Sequence, residues 1–535
     1  MMVLGINTGL AASHDVSACL VDGTGRVLAA IEEERLTRVR HAPSASPLNA
    51  VASCIHEAGI SWHDVSHVAV GWDEPRLRKR AGRDNRTARD MLDELGAPPD
   101  AEPEVIFVPH HEAHAWSVAP LSPFDSCIVY VLDGNGEYES TSVFRYENGS
   151  EAPSLKLEAR MPRASSLGYL FEATSEWLGL GRLASGKTMG LAAYGRDREL
   201  TWLDSEIVRW HPGEQWTFFG GDPKLDYDEL QLMWSSAISG RFGGPMRRQD
   251  VFELHRCERA INAAWAAQNT VEQAIGRLVS YFREKTGVLE ACFAGGVALN
   301  CAATGRLSGP RFTPPWPHDG GVAIGAAWAV VRPRRALATP FLGPRPATAS
   351  SREEDYGTVH EFDVADIADR LMARQIGAVC SGCSEFGPRA LGNRSIIALP
   401  TLPEMQDNVN LRKGREPWRP FGPATTSTGS GLWEDISFLD KYMVGAAAMT
   451  DVGRRLLPAV AHVDGTTRPQ AIDPSETSPF ASIVLEMGRR GVPAVLNTSF
   501  NGPGEPIIQT ATEALSAFRA QQLDFLVLDD KVVTT

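Results

Sequence analysis

One strand-loop-hairpin pattern occurs twice before residue 150, and it restricts the folds that are open to this chain. The first copy runs from the apolar stretch "MVLGIN" through the loop "TGLAASHD" into "VSACLVDGTGRVLAAIEEE", a hairpin around Asp-Gly-Thr-Gly. The second copy, "SCIVYVLDGNGEYESTSVFRYENG", is an apolar strand that ends at an Asp, a Gly-Asn-Gly turn and an alternating return strand. Two copies in one chain indicate an internal duplication.

Two related halves that each present a hairpin loop to a phosphate are the pattern of the actin-like ATPases. Two later segments fit that pattern. We predict a glycine loop in "ASGKTMGLAAYG", from Ala184 to Gly195, and a strand, a Gly-Gly turn and a helix in "ACFAGGVALNCAATGRL". Glycine lets a backbone approach a ligand closely, and a helix N-terminus favours an anion. Such loops also occur as plain connectors.

The remaining organisation predicts two α/β domains. Residues 199–261 are rich in Trp and charge without clean periodicity, which predicts an insertion. A run of Pro, Ala, Ser and charged residues predicts a linker at residues 346–358. Short strands and helices then alternate over residues 359–535. We therefore expect a duplicated actin-like domain at 1–345 and a second α/β domain at 359–535.

Composition excludes several classes of protein. The formal net charge of -14 argues against a broad nucleic-acid or acidic-membrane surface. The start "MMVLGINTGL" has no signal-peptide pattern, and "GGVAIGAAWAVV" is too short to span a bilayer. The eight cysteines are scattered, which suits reduced thiols, and Cys380 and Cys383 form one C-x-x-C where a zinc site needs a second pair. We expect a cytoplasmic protein.

A histidine-rich stretch, "FVPHHEAHAW", is a candidate metal site. His110 and His114 are four residues apart and His111 and His114 are three apart, so either pair shares one face of a helix. A surface helix with polar histidines is the alternative. Asp133 ends an apolar strand and Asp319 precedes a helix. At such positions an aspartate either points its carboxylate into a cleft or only forms a turn. This mixed nitrogen and oxygen set suits Fe(II), Mn(II) or Zn(II).

The first loop carries a candidate base, and the second domain carries candidate anion ligands. His14, beside Asp15, has the chemistry to take a proton from an alcohol, although a solvated loop histidine is equally consistent. Basic residues concentrate in "EFGPRALGNRSI", "NLRKGREPWRPFGP" and "GTTRPQ", and "LNTSFNGPGEPI" adds polar groups after a strand. Guanidinium groups held between Gly, Pro and aromatic residues match phosphate or carboxylate oxygens. These loops predict a small polyanionic ligand.

The motifs "HHEAHA", "VLDGNGE", "SGKTMGLAAYG", "GGVALN", "GPRALGNRS", "WRPFGP" and "LNTSFNGPGEP" together resemble the carbamoyltransferases of the nodulation and antibiotic-tailoring type. "HDVSACLVDG" and "EEERLTRVRH" fit as well, and the match runs in order from about residue 3 to residue 530. The resemblance implies an actin-like, metal-dependent transfer domain followed by a YrdC-like domain.

In such enzymes the second domain makes carbamoyl adenylate and pyrophosphate from carbamoyl phosphate and Mg-ATP. The first domain then transfers the carbamoyl group to a hydroxyl and releases AMP. The resemblance implies His14 as the general base and one divalent metal, with Fe(II) favoured over Mn or Zn, on His110, His114, Asp133 and Asp319. It implies nucleotide contacts in the first domain from Gly186, Lys187, Gly190, Gly295, Gly296 and Asn300. It implies contacts to carbamoyl phosphate and ATP from Arg389, Lys413, Arg419, Arg468, Asn497 and Ser499.

Other functions remain open at this point. An actin-like sugar kinase or ATPase needs only the first domain and leaves the arginine-rich second domain unexplained. A role in tRNA modification needs a nucleic-acid surface, and hydrogenase-maturation carbamoyltransferases add zinc modules that this chain lacks. A metal- and nucleotide-binding regulator predicts no turnover. The acceptor is expected to be a small hydroxylated natural product, whose identity the motifs do not reveal, and the oligomeric state is open.

Overall fold

The part of the chain before residue 347, here called the N-terminal part, contains two five-stranded sheets. The computed structural model describes residues 1–8, 14–150, 152–211, 215–222, 224–346, 353–426, 431–435 and 440–535. Strands β1 to β5 are Met2–Asn7, Ser17–Asp22, Val27–Glu32, His67–Val70 and Glu104–Phe107. Strands β6 to β12 are Ser126–Leu132, Glu139–Asn148, Pro153–Pro162, Val208–His211, Gln215–Phe218, Ala291–Ala294 and Arg311–Phe312.

The two sheets share one topology. The first has the order β3-β2-β1-β4-β5, in which β1, β2 and β3 are antiparallel neighbours and β4 and β5 run parallel to β1. The second has the order β8-β7-β6-β11-β12 with the same directions. Because the strands correspond one to one, the internal duplication expected from the sequence is confirmed as a duplication of topology.

Helices cover both faces of the first sheet. Helices α1 to α11 are Glu33–Thr37, Leu48–Glu57, Glu74–Arg80, Ala88–Glu94, His110–Val118, Leu167–Trp177, Ser185–Ala192, Tyr227–Phe242, Glu258–Thr286, Cys301–Gly305 and Val322–Val331. In β1, Val3 packs in a core with residues of α11, whereas Leu4 and Ile6 pack in another with residues of α2. This two-sided burial explains why the residues of β1 before Asn7 are all apolar.

Helices α5 and α11 approach each other very closely between the two sheets. Gly325 of α11 faces α5, and a Cβ at this position would collide with the backbone oxygen of Ala113. Because α11 also packs on β1, the first turn of α11 and the first turn of α5 are held at one place between the sheets. That place is the candidate site described below.

The segment "ASGKTMGLAAYG" is not the glycine loop that the sequence predicted. Ser185–Ala192 form the helix α7, so Gly186 and Gly190 lie within a helix. Glycine costs only about 1 kcal/mol in a helix, which packing against α6 and α9 offsets. In the second glycine segment, β11 is followed by a short 3-10 turn, Gly296–Leu299, and then α10, as expected.

The described residues of the Trp-rich segment at 199–261 are folded. It contains the hairpin β9-β10, helix α8 and the first residues of α9. Trp202, Trp216 and Trp234 are buried in a common core with α9, which explains the high tryptophan content of a stretch without clean periodicity. The expectation that this segment is an insertion stays a prediction.

The chain after residue 352, here called the C-terminal part, forms an eight-stranded mixed sheet in the order β13-β22-β21-β14-β15-β20-β16-β19. Strands β13 to β22 are Thr358–Glu361, Gly377–Cys380, Arg394–Ala398, Gly422–Thr425, Ala447–Ala448, Thr466–Thr467, Gln470–Ala471, Ala494–Ser499, Phe525–Leu528 and Lys531–Thr534. Helices α12 to α16 are Val364–Met372, Glu404–Arg412, Asp451–Leu456, Pro479–Arg489 and Ala511–Ala520. The α/β fold class is therefore confirmed for both parts. Of the predicted linker, residues 347–352 lie outside the described residues.

Side chains join the two parts directly. Arg38 donates to the backbone oxygens of Ile507 at 2.7 Å and Pro506 at 2.9 Å, and Trp418 Nε1 donates to Val251 O at 3.0 Å.

All eight cysteines are free thiols, as expected, including Cys380 and Cys383. Among the described helices none is both long enough and apolar enough to span a membrane.

Candidate active sites

Four polar side chains from distant parts of the sequence meet between the two sheets of the N-terminal part. Helix α5 begins at His110, and the four-residue spacing puts His114 on the same face one turn later. Asp133 directly follows β6, and Asp319 opens a 3-10 turn that leads into α11. The packing of α5 against β6 and α11 brings the two imidazoles to the two carboxylates.

The ligand atoms of these four residues all lie within 4.8 Å of one another. His110 Nε2 is 3.4 Å from Asp133 Oδ2 and 3.6 Å from Asp319 Oδ1. His114 Nε2 is 3.9 Å and 3.4 Å from the same two oxygens. None of the four residues is more than 6% exposed.

The orientation of His110 suits a metal ligand. Gly71 O lies 3.1 Å from His110 Nδ1, and because a carbonyl only accepts, Nδ1 carries a proton and Nε2 faces the carboxylates. The Trp72 ring stacks on the imidazole at 3.7 Å. Neither His110 Nε2 nor either nitrogen of His114 has a hydrogen-bond partner. These unpartnered nitrogens and two carboxylates are a donor set that could hold a transition-metal ion.

The charges at this cluster attract a cation. Burial disfavours an imidazolium, but Asp319 and Asp133 outweigh burial and raise the pKa of His110 well above its ordinary value. Burial also opposes ionisation of Asp319, and the histidines outweigh it and hold the pKa of that carboxyl well below its usual range. A divalent cation would supply the positive charge that protons otherwise provide.

His111 does not belong to this cluster. Its Nδ1 lies 2.8 Å from Ser142 Oγ, and its ring is buried against the turn that contains Gly136. Burial lowers the pKa of His111 well below its ordinary value. The middle histidine of the stretch, His111, therefore packs against the second hairpin.

His14 forms one end of a three-residue chain. Its Nδ1 is 2.9 Å from Asp15 Oδ2, and the other oxygen of Asp15 is 2.7 Å from His41 Nδ1. Burial opposes protonation of His14, but Asp15 outweighs it, Asp319 and Asp133 add to the effect, and the pKa rises to about 10. The charges of Asp133 and Asp319 therefore influence His14, whose side chain is 37% exposed.

The predicted nucleotide contacts of the N-terminal part fall into two groups. Gly295 and Gly296 adjoin the metal cluster, because Gly296 N donates to Asp133 Oδ1 at 2.8 Å. Asn300 exchanges hydrogen bonds of 2.9 Å with Gln268 and caps α10. The other group lies on α7 and faces the C-terminal part; it consists of Gly186, Lys187 and Gly190.

A cavity of about 190 Å³ lies between the N-terminal and C-terminal parts. From the N-terminal part it is lined by Gly186, Met189, Gly190, Ala193, Arg196, Trp265, Gln268, Cys301 and Ala302. From the C-terminal part the lining includes Arg389, Arg415, Arg419, Arg468, Asn497, Thr498 and Ser499. The α7 glycines and all of the predicted anion ligands except Lys413 therefore share one cavity.

The arginines of the cavity wall carry unused hydrogen-bond donors. The Nε atoms of Arg389, Arg415 and Arg468 are buried without a partner. Burial, followed by the charge of Arg468, lowers the pKa of Arg389 to about 9. Burial and the Arg415 charge likewise depress the pKa of Lys413. Clustered cations with unfilled donors have the chemistry to bind an anion with several negative charges.

Lys413, which does not line the cavity, and Asn497 and Ser499, which do, are held in place by hydrogen bonds. Lys413 Nζ donates to the backbone oxygens of Ser499 and Asn501, and Ser499 Oγ donates to Asn501 Oδ1 at 2.6 Å. Asn497 Nδ2 donates to Gln470 Oε1 at 2.8 Å. These contacts fix the end of β20 against the loop after α13.

Two arginines of the same motifs are structural. Arg394 is fully buried and donates to the backbone oxygens of Ser381, Gly382, Asn393 and Gln509. Arg412 lies 3.3 Å from Asp524 and does not line the cavity. The basic motifs thus supply both cavity ligands and supports of the fold.

Family models for the two halves of one enzyme class match this chain. The model described as carbamoyltransferase N-terminus matches residues 3–81 and 92–328, and the model described as carbamoyltransferase C-terminus matches residues 368–535. The chain belongs to the carbamoyltransferase family. It is therefore a transferase, and the family resemblance drawn from its motifs is confirmed.

Nodulation proteins are among the relatives of this carbamoyltransferase. Nodulation protein NolNO of Sinorhizobium fredii is 30% identical over 582 residues, which cover 100% of this chain and 82% of that protein. Nodulation protein NolO of Bradyrhizobium diazoefficiens is 32% identical over 459 residues, covering 78% of this chain and 77% of the relative. Nodulation protein U of Rhizobium fredii is 25% identical over 564 residues, covering 96% and 93%.

The structure adds residues to the candidate sites of this carbamoyltransferase that the sequence did not single out. His41 ends the "EEERLTRVRH" motif and contacts Asp15. Arg196 lines the cavity and forms a 2.7 Å ion pair with Asp464 of the C-terminal part, and His462 Nε2 donates to Gly190 O at 2.8 Å. His41 could have been found from the sequence, because it is a histidine inside a motif of the family. Arg196 and Asp464 lie outside the quoted motifs.

Proposed function

We propose that this carbamoyltransferase is an ATP-dependent O-carbamoyltransferase with one active site in each part and a cavity between the parts. The N-terminal site lies in a duplicated actin-like domain at residues 1–345, and the C-terminal site lies in a YrdC-like domain at residues 359–535. The observation that carries the proposal is the shared cavity, which has α7 on one wall and four arginines on the other.

The C-terminal site would activate the carbamoyl group. Water cleaves carbamoyl phosphate to carbamate and inorganic phosphate. A carbamate oxygen then attacks the α-phosphorus of Mg-ATP, which forms carbamoyl adenylate and expels pyrophosphate. Both reactants are polyanions, so they match buried guanidinium groups with free donors. We assign phosphate contacts to Arg389, Lys413, Arg419, Arg468, Asn497 and Ser499.

The cavity would carry the intermediate between the sites. Carbamate and carbamoyl adenylate hydrolyse in water, so an enclosed route protects them. Met189 and Trp265 contribute apolar surface to the cavity, while Gln268 connects its wall to Asn300. We assign contacts to the adenylate to Gly186, Lys187, Gly190, Gly295, Gly296 and Asn300.

In the N-terminal site the hydroxyl of the acceptor would attack the carbamoyl carbon, and the bond to AMP would break. His14 Nε2 would take the hydroxyl proton while Asp15 accepts from Nδ1–H and orients the ring. Because Asp133 and Asp319 help to raise the pKa of His14, a cation that neutralises them would lower this pKa and favour the neutral imidazole that a base requires.

A divalent metal fits the N-terminal site. His110, His114, Asp133 and Asp319 would hold it, and Fe(II) is our first choice, with Mn(II) and Zn(II) as alternatives. When bound, it would supply Lewis-acid stabilisation of phosphate charge. The acceptor would be a hydroxyl of a small natural product.

The experiment that tests this function measures AMP and pyrophosphate formed from Mg-ATP, with and without carbamoyl phosphate and with no acceptor present. We expect both products only with carbamoyl phosphate. Acceptors are then screened by the mass increase of carbamoylation. Phosphorylation of a sugar without carbamoyl phosphate would favour the actin-like kinase, and nucleotide binding without any turnover would favour the regulator.

A further inference from the structure

A buried chain of charged and polar groups runs from His318, the residue before Asp319, to residues 385–394 of the C-terminal part, here called the arginine loop. Arg35, in α1, is 1% exposed and Glu32 is 3% exposed. The guanidinium approaches Glu32 Oε2 through both Nε, at 3.1 Å, and Nη2, at 3.0 Å. The other oxygen of Glu32 lies 2.9 Å from Nε2 of His318, the residue before Asp319.

Arg35 also reaches into the C-terminal part. Its Nη2 donates to Gly387 O at 2.7 Å, and this carbonyl lies two residues before Arg389. Gly387 has a φ of +117°, and a Cβ there would collide with the backbone oxygen of Pro315. The chain from Pro315 to Asp319 therefore supports Gly387 on one side, and Arg35 holds it on the other.

The rest of the arginine loop is held together by hydrogen bonds to one carboxylate. Glu385 is 2% exposed, and its Oε1 accepts from the backbone N–H groups of Leu391 at 2.7 Å, Asn393 at 3.0 Å and Arg394 at 3.2 Å. The loop from 385 to 394 is thus closed on itself, and a shift of Gly387 would be passed on to Arg389. Arg389 is the loop residue whose guanidinium lines the cavity.

We propose that Arg35 is a positioning residue of the C-terminal site, which places Arg389 at the cavity wall through Gly387 and ties that loop to the Asp319 segment through Glu32 and His318. Only a planar fork of donors satisfies a carboxylate and a carbonyl from one side chain in this way. A lysine keeps the charge but supplies one nitrogen atom. The inference rests on the proposed function only where turnover is the readout.

Binding of inorganic pyrophosphate, measured by calorimetry, tests the positioning without turnover. We expect Arg35→Lys to weaken binding about tenfold, because small displacements of a ligand-holding group are costly in affinity. Arg389→Ala is the positive control and should weaken binding at least as much. Arg38→Lys is the matched control, because Arg38 lies on the turn after α1 and also donates to backbone oxygens of the C-terminal part, but away from the arginine loop.

The proposal is upheld if Arg35→Lys weakens pyrophosphate binding while Arg38→Lys, at a similar loss of melting temperature, changes it less than about twofold. Equal weakening in both variants, unchanged binding in Arg35→Lys, or no pyrophosphate binding by the wild-type protein would overturn it. If Arg35→Lys does not fold, Arg35→Met combined with Glu32→Gln serves instead, because both buried charges are then removed together.

Turnover separates this inference from the proposed function. In the assay without acceptor, we expect Arg35→Lys to raise the KM for carbamoyl phosphate more than it lowers kcat, since the loop acts on binding. A wild-type protein that binds pyrophosphate but forms no AMP would disprove the proposed function and leave the positioning role of Arg35 intact.

Discussion

Lys187 in α7 of the N-terminal part and Glu416 in the loop after α13 of the C-terminal part form an ion pair of 2.7 Å. The second oxygen of Glu416 lies 3.4 Å from Nη1 of Arg419. One carboxylate therefore contacts a predicted nucleotide ligand of the first site and a predicted anion ligand of the second. Through Glu416, the orientation of each ligand depends on the other part of the chain.

This pair predicts a pH-dependent contribution to stability. Burial opposes ionisation of Glu416, but the hydrogen bond from Lys187 outweighs burial, so the pKa of Glu416 is lowered. A carboxyl whose pKa is lower in the folded state stabilises above its unfolded value of about 4.3, and the gain disappears as pH falls through the folded pKa. We expect Glu416→Gln to cost about 1.5 to 3 kcal/mol at pH 7 and progressively less below about pH 4.3.

Denaturant unfolding of wild type and Glu416→Gln between pH 7 and pH 3.5 measures this contribution. Asp204→Asn, which removes the exposed pair of Asp204 with Arg277, is the control and should cost no more than about 1 kcal/mol at any pH. A cost of Glu416→Gln that stayed constant down to pH 3.5 would contradict the assignment.

Removal of a metal ligand should separate the two reactions. We expect His114→Ala to lower the affinity for the metal at least about 100-fold, because the loss of one of four donors leaves an incomplete shell. Metal content by atomic emission should fall, carbamoyl transfer should be lost, and acceptor-free AMP formation should persist. His111→Asn is the control, since His111 contacts Ser142 instead of the cluster; full metal content in His114→Ala would disprove the site.

Loss of the candidate base should leave the first half-reaction intact. We expect His14→Ala to reduce transfer to the acceptor by about 100- to 10,000-fold and to leave AMP formation unchanged. Carbamoylated product measured by mass spectrometry against AMP measured by chromatography gives the two rates. Transfer near the wild-type rate would mean that His14 is not the base.

The partner of His14 predicts a shift in pH dependence. Because Asp15 raises the pKa of His14, Asp15→Asn should lower this pKa and increase the neutral fraction at a given pH below it. The acid limb of the transfer rate should therefore move to lower pH, although the maximal rate falls because the ring loses its orientation. A limb that moved to higher pH would contradict this arrangement.

Substitution of an arginine that lines the cavity should reduce AMP formation more than substitution of an arginine that lies outside the cavity lining. We expect Arg389→Ala to reduce AMP formation, and with it transfer, about 100-fold, because a hydrogen bond between charged groups is lost. Arg412→Ala is the control, as Arg412 contacts Asp524 outside the cavity lining. Normal AMP formation in Arg389→Ala would remove this residue from the carbamoyl phosphate site.

The sequence predicted features that depend on nearby residues or on motifs. The four-residue spacing of His110 and His114 was sufficient to put both on one face of a helix, and alternation and turns marked the duplicated hairpins. The family motifs identified the enzyme class. The same signals failed for "SGKTMG", because small residues and glycines fit a loop or a tightly packed helix equally well, and only packing against α6 and α9 favours the helix.

By itself, therefore, the sequence determined the α/β class, the duplication and the family, because these follow from backbone periodicity and from short motifs. Only the tertiary structure decided which groups face one another. It brought Asp319 to His110 over more than 200 residues, directed Arg394 to backbone carbonyls instead of the cavity, and paired Lys187 with Glu416. Such contacts arise from the packing of whole elements, and no local pattern in the chain encodes the partner of a side chain two hundred residues away.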